Sequence, residues 1–82
     1  MAEKTVSINV LIDTIDKVKD FVRATSQFDA DMDIISGRYV IDAKSILGLF
    51  SLDLSEPVQL RIEGDSKDMD AILEAMAPYE AK

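Results

Sequence analysis

Apolar and polar residues alternate with two different periods along the chain. From Thr5 to Leu11 the period is two, with Val6, Ile8 and Val10 on one face and Thr5, Ser7 and Asn9 on the other. This pattern predicts a half-buried strand. Asp13 or Thr14 can cap a helix whose apolar stripe is Ile15, Val18, Phe21 and Val22, fading near Ser26. Alternation returns from Phe28 to Ile35, with Phe28, Ala30, Met32 and Ile34 facing one way and Asp29, Asp31 and Asp33 the other. Ser36-Gly37 is a turn signal, because glycine accepts positive φ without steric cost. Tyr39 to Asp42 then reads as a short return strand.

Lys44 to Leu52 is apolar but too short for a long helix, and Ser45 is its natural cap. Pro57 opens a third alternating run, with Val58, Leu60 and Ile62 inward and Gln59, Arg61 and Glu63 outward. Gly64-Asp65 is expected to turn the chain. Ser66 is expected to cap a last helix with Met69, Ile72, Leu73 and Met76 on its buried face and Asp68 and Asp70 near its positive end; Pro78 marks its stop. The order is β-α-β-β-α-β-α. Each strand has one apolar and one polar face, which predicts an α+β fold: a two-layer open-faced sandwich, a four-stranded antiparallel sheet with three helices on one side. The predicted core is Val6, Ile8, Val10, Phe21, Val22, Met32, Ile34, Leu49, Val58, Leu60, Ile62, Ile72, Leu73 and Met76.

Composition narrows the function classes. The 82 residues suit one domain spanning 1–82, with 48% apolar and 30% charged residues, a globular balance. Net charge is −7 with only nine Lys and Arg, scattered along the chain, so nucleic acid and membranes are not expected partners. The acidity suits solubility or a basic partner surface. There is no apolar run of signal-peptide or bilayer-spanning length, and a cytoplasmic location is expected. The sequence contains neither cysteine nor histidine, which removes thiol and imidazole chemistry. No enzyme activity, cofactor or metal site is expected. Asp29, Asp31 and Asp33 have the spacing of an EF-hand start, but Ile34 and Val40 stand where such a loop needs Gly and Glu, and strand alternation accounts for them.

Ala43 to Leu54 reads AKSILGLFSLDL. It resembles the segment carrying the regulatory serine in HPr, the phosphocarrier of the sugar phosphotransferase system, through Lys44, Ser45, Ile46, Gly48, Leu49, Ser51 and Leu52, with Leu47 and Phe50 replacing methionines. Phe21-Val22 resembles the Phe-Val pair of the family's first helix, and PVQLRIEGDSKDMDAILEAM fits its last strand and helix. The resemblance covers nearly the whole chain and implies the same element order. It implies a phosphorylation site at Ser45, compatible with the capping role, and a partner-binding surface at Lys44, Ile46, Leu47 and Phe50. With Leu49 and Leu52 needed inward, Ile46 and Phe50 are the candidates for exposure.

The family's Gly-x-His-x-Arg-Pro motif is lost. Alignment on Phe21-Val22 puts Thr14 at the histidine position, Asp16 at the arginine and Lys17 at the proline. A threonine ester is a far poorer phosphoryl relay than imidazole, and Asp16 repels a phosphate that arginine would attract. The chain therefore reads as an HPr-like regulatory or interaction protein without phosphohistidine carrier activity, docking a protein partner (a kinase, a regulator or a sugar-transport component). It resembles in this the HPr homologues that lack the histidine and act in catabolite regulation. The alternative is a small-molecule-binding or oligomerisation module using the polar sheet face.

Overall fold

The structure is a computed structural model that describes residues 3–81, apart from the side chain of residue 66. Strands β1 (Glu3–Val10), β2 (Asp31–Ser36), β3 (Tyr39–Asp42) and β4 (Val58–Asp65) form one antiparallel sheet in the order β1-β4-β2-β3. Helices α1 (Ile15–Thr25), α2 (Ile46–Phe50) and α3 (Ser66–Met76) cover one side, and a short 3-10 turn, Ala77–Tyr79, follows. This is the expected open-faced sandwich with the expected element order.

The register shows why period-two sequence makes two-faced strands. Ile8 opposes Leu60, which opposes Ile34, which opposes Ile41; Val6, Ile62 and Met32 form the next apolar row, and Val10 faces Val58. The opposite face carries Ser7, Arg61, Asp33 and Asp42 in one row and Thr5, Glu63 and Asp31 in another. Phe21, Val18, Leu49, Met69, Ile72 and Met76 close the apolar rows from the helix side. Of the expected core, Val6, Ile8, Val22 and Leu73 are only partly buried; β1 has β4 along one side and on the other only the bridge of Val10 to Glu80 at its end. Val18 and Met69 are buried as their helical stripes predict, and Ile12, Ala43 and the polar Thr25 are buried in addition to the expected residues.

Local chemistry fixes most ends. Thr14, not Asp13, caps α1: its hydroxyl accepts from the Lys17 N–H at 3.1 Å. Gly37, at φ 59, opens the two-residue β2–β3 turn, with no atom near enough to oppose a side chain there; the dihedral alone calls for glycine.

β1 runs Glu3–Val10 against an expected Thr5 to Leu11, and α2 runs Ile46–Phe50 within the expected Lys44 to Leu52; other boundaries differ for local reasons. β2 begins at Asp31, not Phe28, because the Phe28 N–H is taken by the Thr25 carbonyl at 3.2 Å, in the turn that ends α1. Gly64-Asp65 makes no turn: β4 runs to Asp65, which itself caps α3 by accepting from the Lys67 N–H, so the cap is one residue earlier than Ser66. Gly64 serves a close approach instead, since a Cβ there would lie 3.0 Å from that of Ala30.

Candidate functional site

α1 and α2 meet at the end of the molecule where β1 hands over to the first helix. Between them lies a groove of about 180 Å³ lined by Ile12, Asp13, Thr14, Ile15, Val18, Phe50, Leu52 and Leu54. Its floor is apolar because Ile12 and Val18 are core residues. Its lips are Ile15, 63% exposed, and Phe50, 44% exposed, and farther along α2 Leu47 stands 82% exposed. Ile15 belongs by spacing to the apolar stripe of α1 but lies in its first turn, so it borders the groove instead of entering the core.

Thr14, Asp16 and Lys17, the positions that alignment on Phe21-Val22 set against the HPr motif, all lie at this end. Thr14 spends its hydroxyl on the α1 cap. Lys17 donates from Nζ to Asp13 Oδ1 at 3.1 Å, an ion pair one helical turn apart. That hydrogen bond holds the Asp13 carboxyl below its ordinary 3.8, so the groove rim carries a firmly ionised acid. Asp16 is exposed in the first turn of α1. Beyond α2, Asp53 is also held low, by the Ser55 hydroxyl at 2.7 Å and the Ser55 N–H at 3.1 Å.

Ser45 is half-buried and caps α2, its Oγ accepting from the Gly48 N–H at 3.3 Å. Ile46 packs partly against the core, whereas Leu47 and Phe50 are exposed, so the exposed members of the α2 group are Leu47 and Phe50 and not Ile46. Lys44 does not point its ammonium at solvent beside them: Nζ donates to the Phe28 carbonyl at 2.6 Å and ties the start of α2 to the turn after α1. Gly48 has a steric role that sequence reasoning did not assign. A Cβ there would sit 2.6 Å from Ile41 Cγ2 and 3.1 Å from Ser45 Oγ, so glycine lets α2 lie on β3 and leaves room for the serine hydroxyl. A glycine inside a helical segment was the available signal.

The elements and their sequence motifs agree with a family match. A family model described as "PTS HPr component phosphorylation site" matches residues 17–80. The chain belongs to the PTS-HPr family. The match begins beyond Thr14 and Asp16. Among solved structures, the chain is 30% identical to HPr-C-His from Thermoanaerobacter tengcongensis, with a TM-score of 0.69 over 95% of this chain and 89% of that one. It is 27% identical to the phosphocarrier protein HPr of Bacillus anthracis str. Ames, with a TM-score of 0.73 over 99% and 100%. The histidine-containing phosphocarrier protein of a Mycoplasma shares the fold at 18% identity, with a TM-score of 0.64 over 94% and 89%. No curated protein sequence matches the chain. HPr proteins are phosphocarriers and not catalysts, and no helix among the described residues is long and apolar enough to cross a membrane.

Proposed function

We propose that this HPr homologue is a docking and regulatory protein that does not carry phosphohistidine. The observation that supports it is a division at one site: the sequence has no histidine, and the side chain at the corresponding position, Thr14, is committed to the α1 cap, yet Ile15 and Phe50 remain exposed on an apolar groove, and Leu47 is exposed on the same helix as Phe50. Large exposed apolar side chains grouped beside a groove mark a contact surface. The chemistry of a relay is gone while a surface for a protein partner is kept. Asp13 gives that surface an acidic rim, and Asp16 adds a second exposed acid in the first turn of α1, which suits a partner presenting Lys or Arg around an apolar centre.

Ser45 is the regulatory position in this reading. A phosphate on its hydroxyl adds about −1.5 to −2 charges beside Leu47 and Phe50. It weakens a purely apolar contact and strengthens one that offers Arg or Lys. Ile46 and Lys44 support this helix from below, through the core and the Phe28 carbonyl.

The test has two arms. With phosphoenolpyruvate and the first enzyme of the phosphotransferase system, the protein stays unlabelled while a histidine-containing HPr in the same mixture is labelled; stoichiometric acid-labile labelling overturns the non-carrier reading. Wild type, Leu47→Asp and Ser45→Asp are then used as baits in the source cell extract. The same protein is retained by wild type, lost with Leu47→Asp and changed in amount with Ser45→Asp. Equal retention by all three baits removes the groove face as the docking surface. For the switch itself, the kinase that modifies HPr on serine, with ATP, adds one phosphate at Ser45 by mass spectrometry; an unmodified Ser45 beside a modified HPr control ends that part of the proposal.

A further inference from the structure

β3 ends the sheet, and among the described residues no strand pairs with its outer side. Its free backbone groups can be identified from one hydrogen bond. The Ala43 N–H donates to the Met32 carbonyl at 2.9 Å, so Met32 and Ala43 form a hydrogen-bonded pair. Such pairs alternate along an antiparallel ladder. Ile41 and Tyr39 therefore bond to β2, while Val40 and Asp42 direct their N–H and C=O groups away from the sheet. The side chains on this edge are also unsheltered: Tyr39 is 66% exposed on the helix side, and Val40 is 56% exposed on the open side, next to Ile35.

Charge on the edge is unbalanced within one copy. Asp42 lies directly across from Asp33 on the open face, an unfavourable like-charge pair. Arg61 is engaged by Asp33 at 3.0 Å, and among the described residues neither Asp42 nor Arg38 takes part in an ion pair. The order Arg38-Tyr39-Val40-Ile41-Asp42 places opposite charges symmetrically about Val40.

We infer that a second copy of this chain pairs antiparallel with β3 about a two-fold axis at Val40. A two-fold contact requires a surface complementary to itself. Only registers that bring outward-facing backbone groups together can form hydrogen bonds. Centred on Val40, the two Val40 residues exchange both bonds, each Arg38 faces Asp42 of the other copy, and each Tyr39 faces the other Ile41. Centred on Ile41, Arg38 would come opposite Lys44, whose ammonium is already engaged by the Phe28 carbonyl, so no opposite charges meet; centred on Tyr39, Arg38 would face the apolar Val40; centred on Asp42, the two Asp42 carboxylates would meet. Among centres on the four residues of β3, charge complementarity thus selects Val40. The net charge of −7 on each copy opposes association, so the dimer is a weak one that forms as concentration rises. This contact lies on the sheet edge and leaves Leu47 out of its pairing, which separates it from the docking face proposed above.

Sedimentation equilibrium on the full chain, from about 10 µM to about 1 mM, spans the range that resolves weak association. The average mass is expected to rise from that of one chain, 9.1 kDa, towards twice that value. Val40→Pro removes an outward N–H without breaking the ladder to β2, as proline on an edge strand allows. It leaves the far-ultraviolet spectrum in place and abolishes the rise. Arg38→Asp and Asp42→Arg each weaken association at least tenfold, and the two together restore it. Leu47→Asp leaves it unchanged. A wild type that stays monomeric throughout overturns the inference, as does a dimer that survives Val40→Pro and the single charge reversals or is lost with Leu47→Asp.

Discussion

Replacing Gly48 by alanine tests how α2 is seated on the sheet. In an exposed helix interior this change gains about 1 kcal/mol, because alanine restricts the unfolded chain and favours the helix. Here the new Cβ meets Ile41 Cγ2 at 2.6 Å, where non-bonded carbons prefer about 3.5–4.0 Å. Roughly 1 Å of separation has to be made. Cγ2 is attached at the branch point of Ile41, so it cannot swing aside without turning a stiff χ1 on a strand. Either that rotamer is strained or α2 lifts from β3, and overpacking of this kind costs about 1–3 kcal/mol. After the helix gain is subtracted, the expected net loss is about 1 kcal/mol, which lowers Tm by about 4–8 °C in a domain of this size. The assay is a urea and thermal double-mutant cycle with Ile41→Ala, which removes Cγ2. In that background Gly48→Ala becomes neutral or stabilising, with a coupling of at least about 1 kcal/mol. The contact is refuted if Gly48→Ala stabilises the wild type, or if the cycle is additive within about 0.5 kcal/mol. Because Leu47 and Phe50 ride on α2, docking through them, as proposed, predicts that the same variant weakens partner retention without altering either exposed side chain.

Other outcomes follow from single groups. Thr25 is fully buried, its hydroxyl donating to the Val22 carbonyl at 3.0 Å with the buried Ala43 carbonyl at 3.3 Å, so Thr25→Val costs about 1–3 kcal/mol in urea unfolding while Thr25→Ser, which keeps the hydroxyl, costs less. Gly37→Ala meets no neighbour but must hold φ 59, and it loses about 1–2 kcal/mol, with Gly37→Asn losing less; equal stability of all three would remove the strain. Burial, helped by Asp20 and opposed by Arg23, raises the Tyr79 phenol above its ordinary 10.0. Its raised folded value means that its contribution to stability is complete below pH 10 and is lost as pH climbs through that higher value, so phenolate absorbance in a Tyr39→Phe variant shows a midpoint above 10.0 that returns to 10.0 in urea. Asp13 is depressed by Lys17, so its contribution is present above pH 3.8 and is lost as pH falls below; Lys17→Met returns the Asp13 carboxyl towards 3.8 in an NMR titration.

Much of this molecule was legible along the chain. Period-two runs placed Met32, Ile34, Leu60 and Ile62 inward and Asp31 outward, since a strand's faces are set by parity alone. Thr14 and Ser45 as caps and Gly37 as a turn needed only neighbours within three residues. The absence of histidine was visible directly, and so was the short α2 segment with Ser45 at its start.

Tertiary structure decided the rest, because it depends on residues distant in sequence. Pairing of β1 with β4 and of β4 with β2 leaves β3 as an edge, which local pattern does not encode. The last residues return to β1, where the Leu11 N–H donates to the Tyr79 carbonyl and the Ala81 N–H to the Asn9 carbonyl, both at 2.8 Å; nothing in the composition of that tail announces a strand partner. Packing across elements also made Gly64 a close approach to Ala30, buried the polar Thr25 beside Ala43, and tied Lys44 to Phe28. Ile15 shows the distinction most clearly. Its spacing assigned it to the apolar stripe of α1, and only the arrangement of α1 beside α2 and the Leu52–Leu54 segment left it exposed on the lip of a groove. Periodicity fixes which way a side chain points from its own element, but what lies in that direction is set by the elements packed around it.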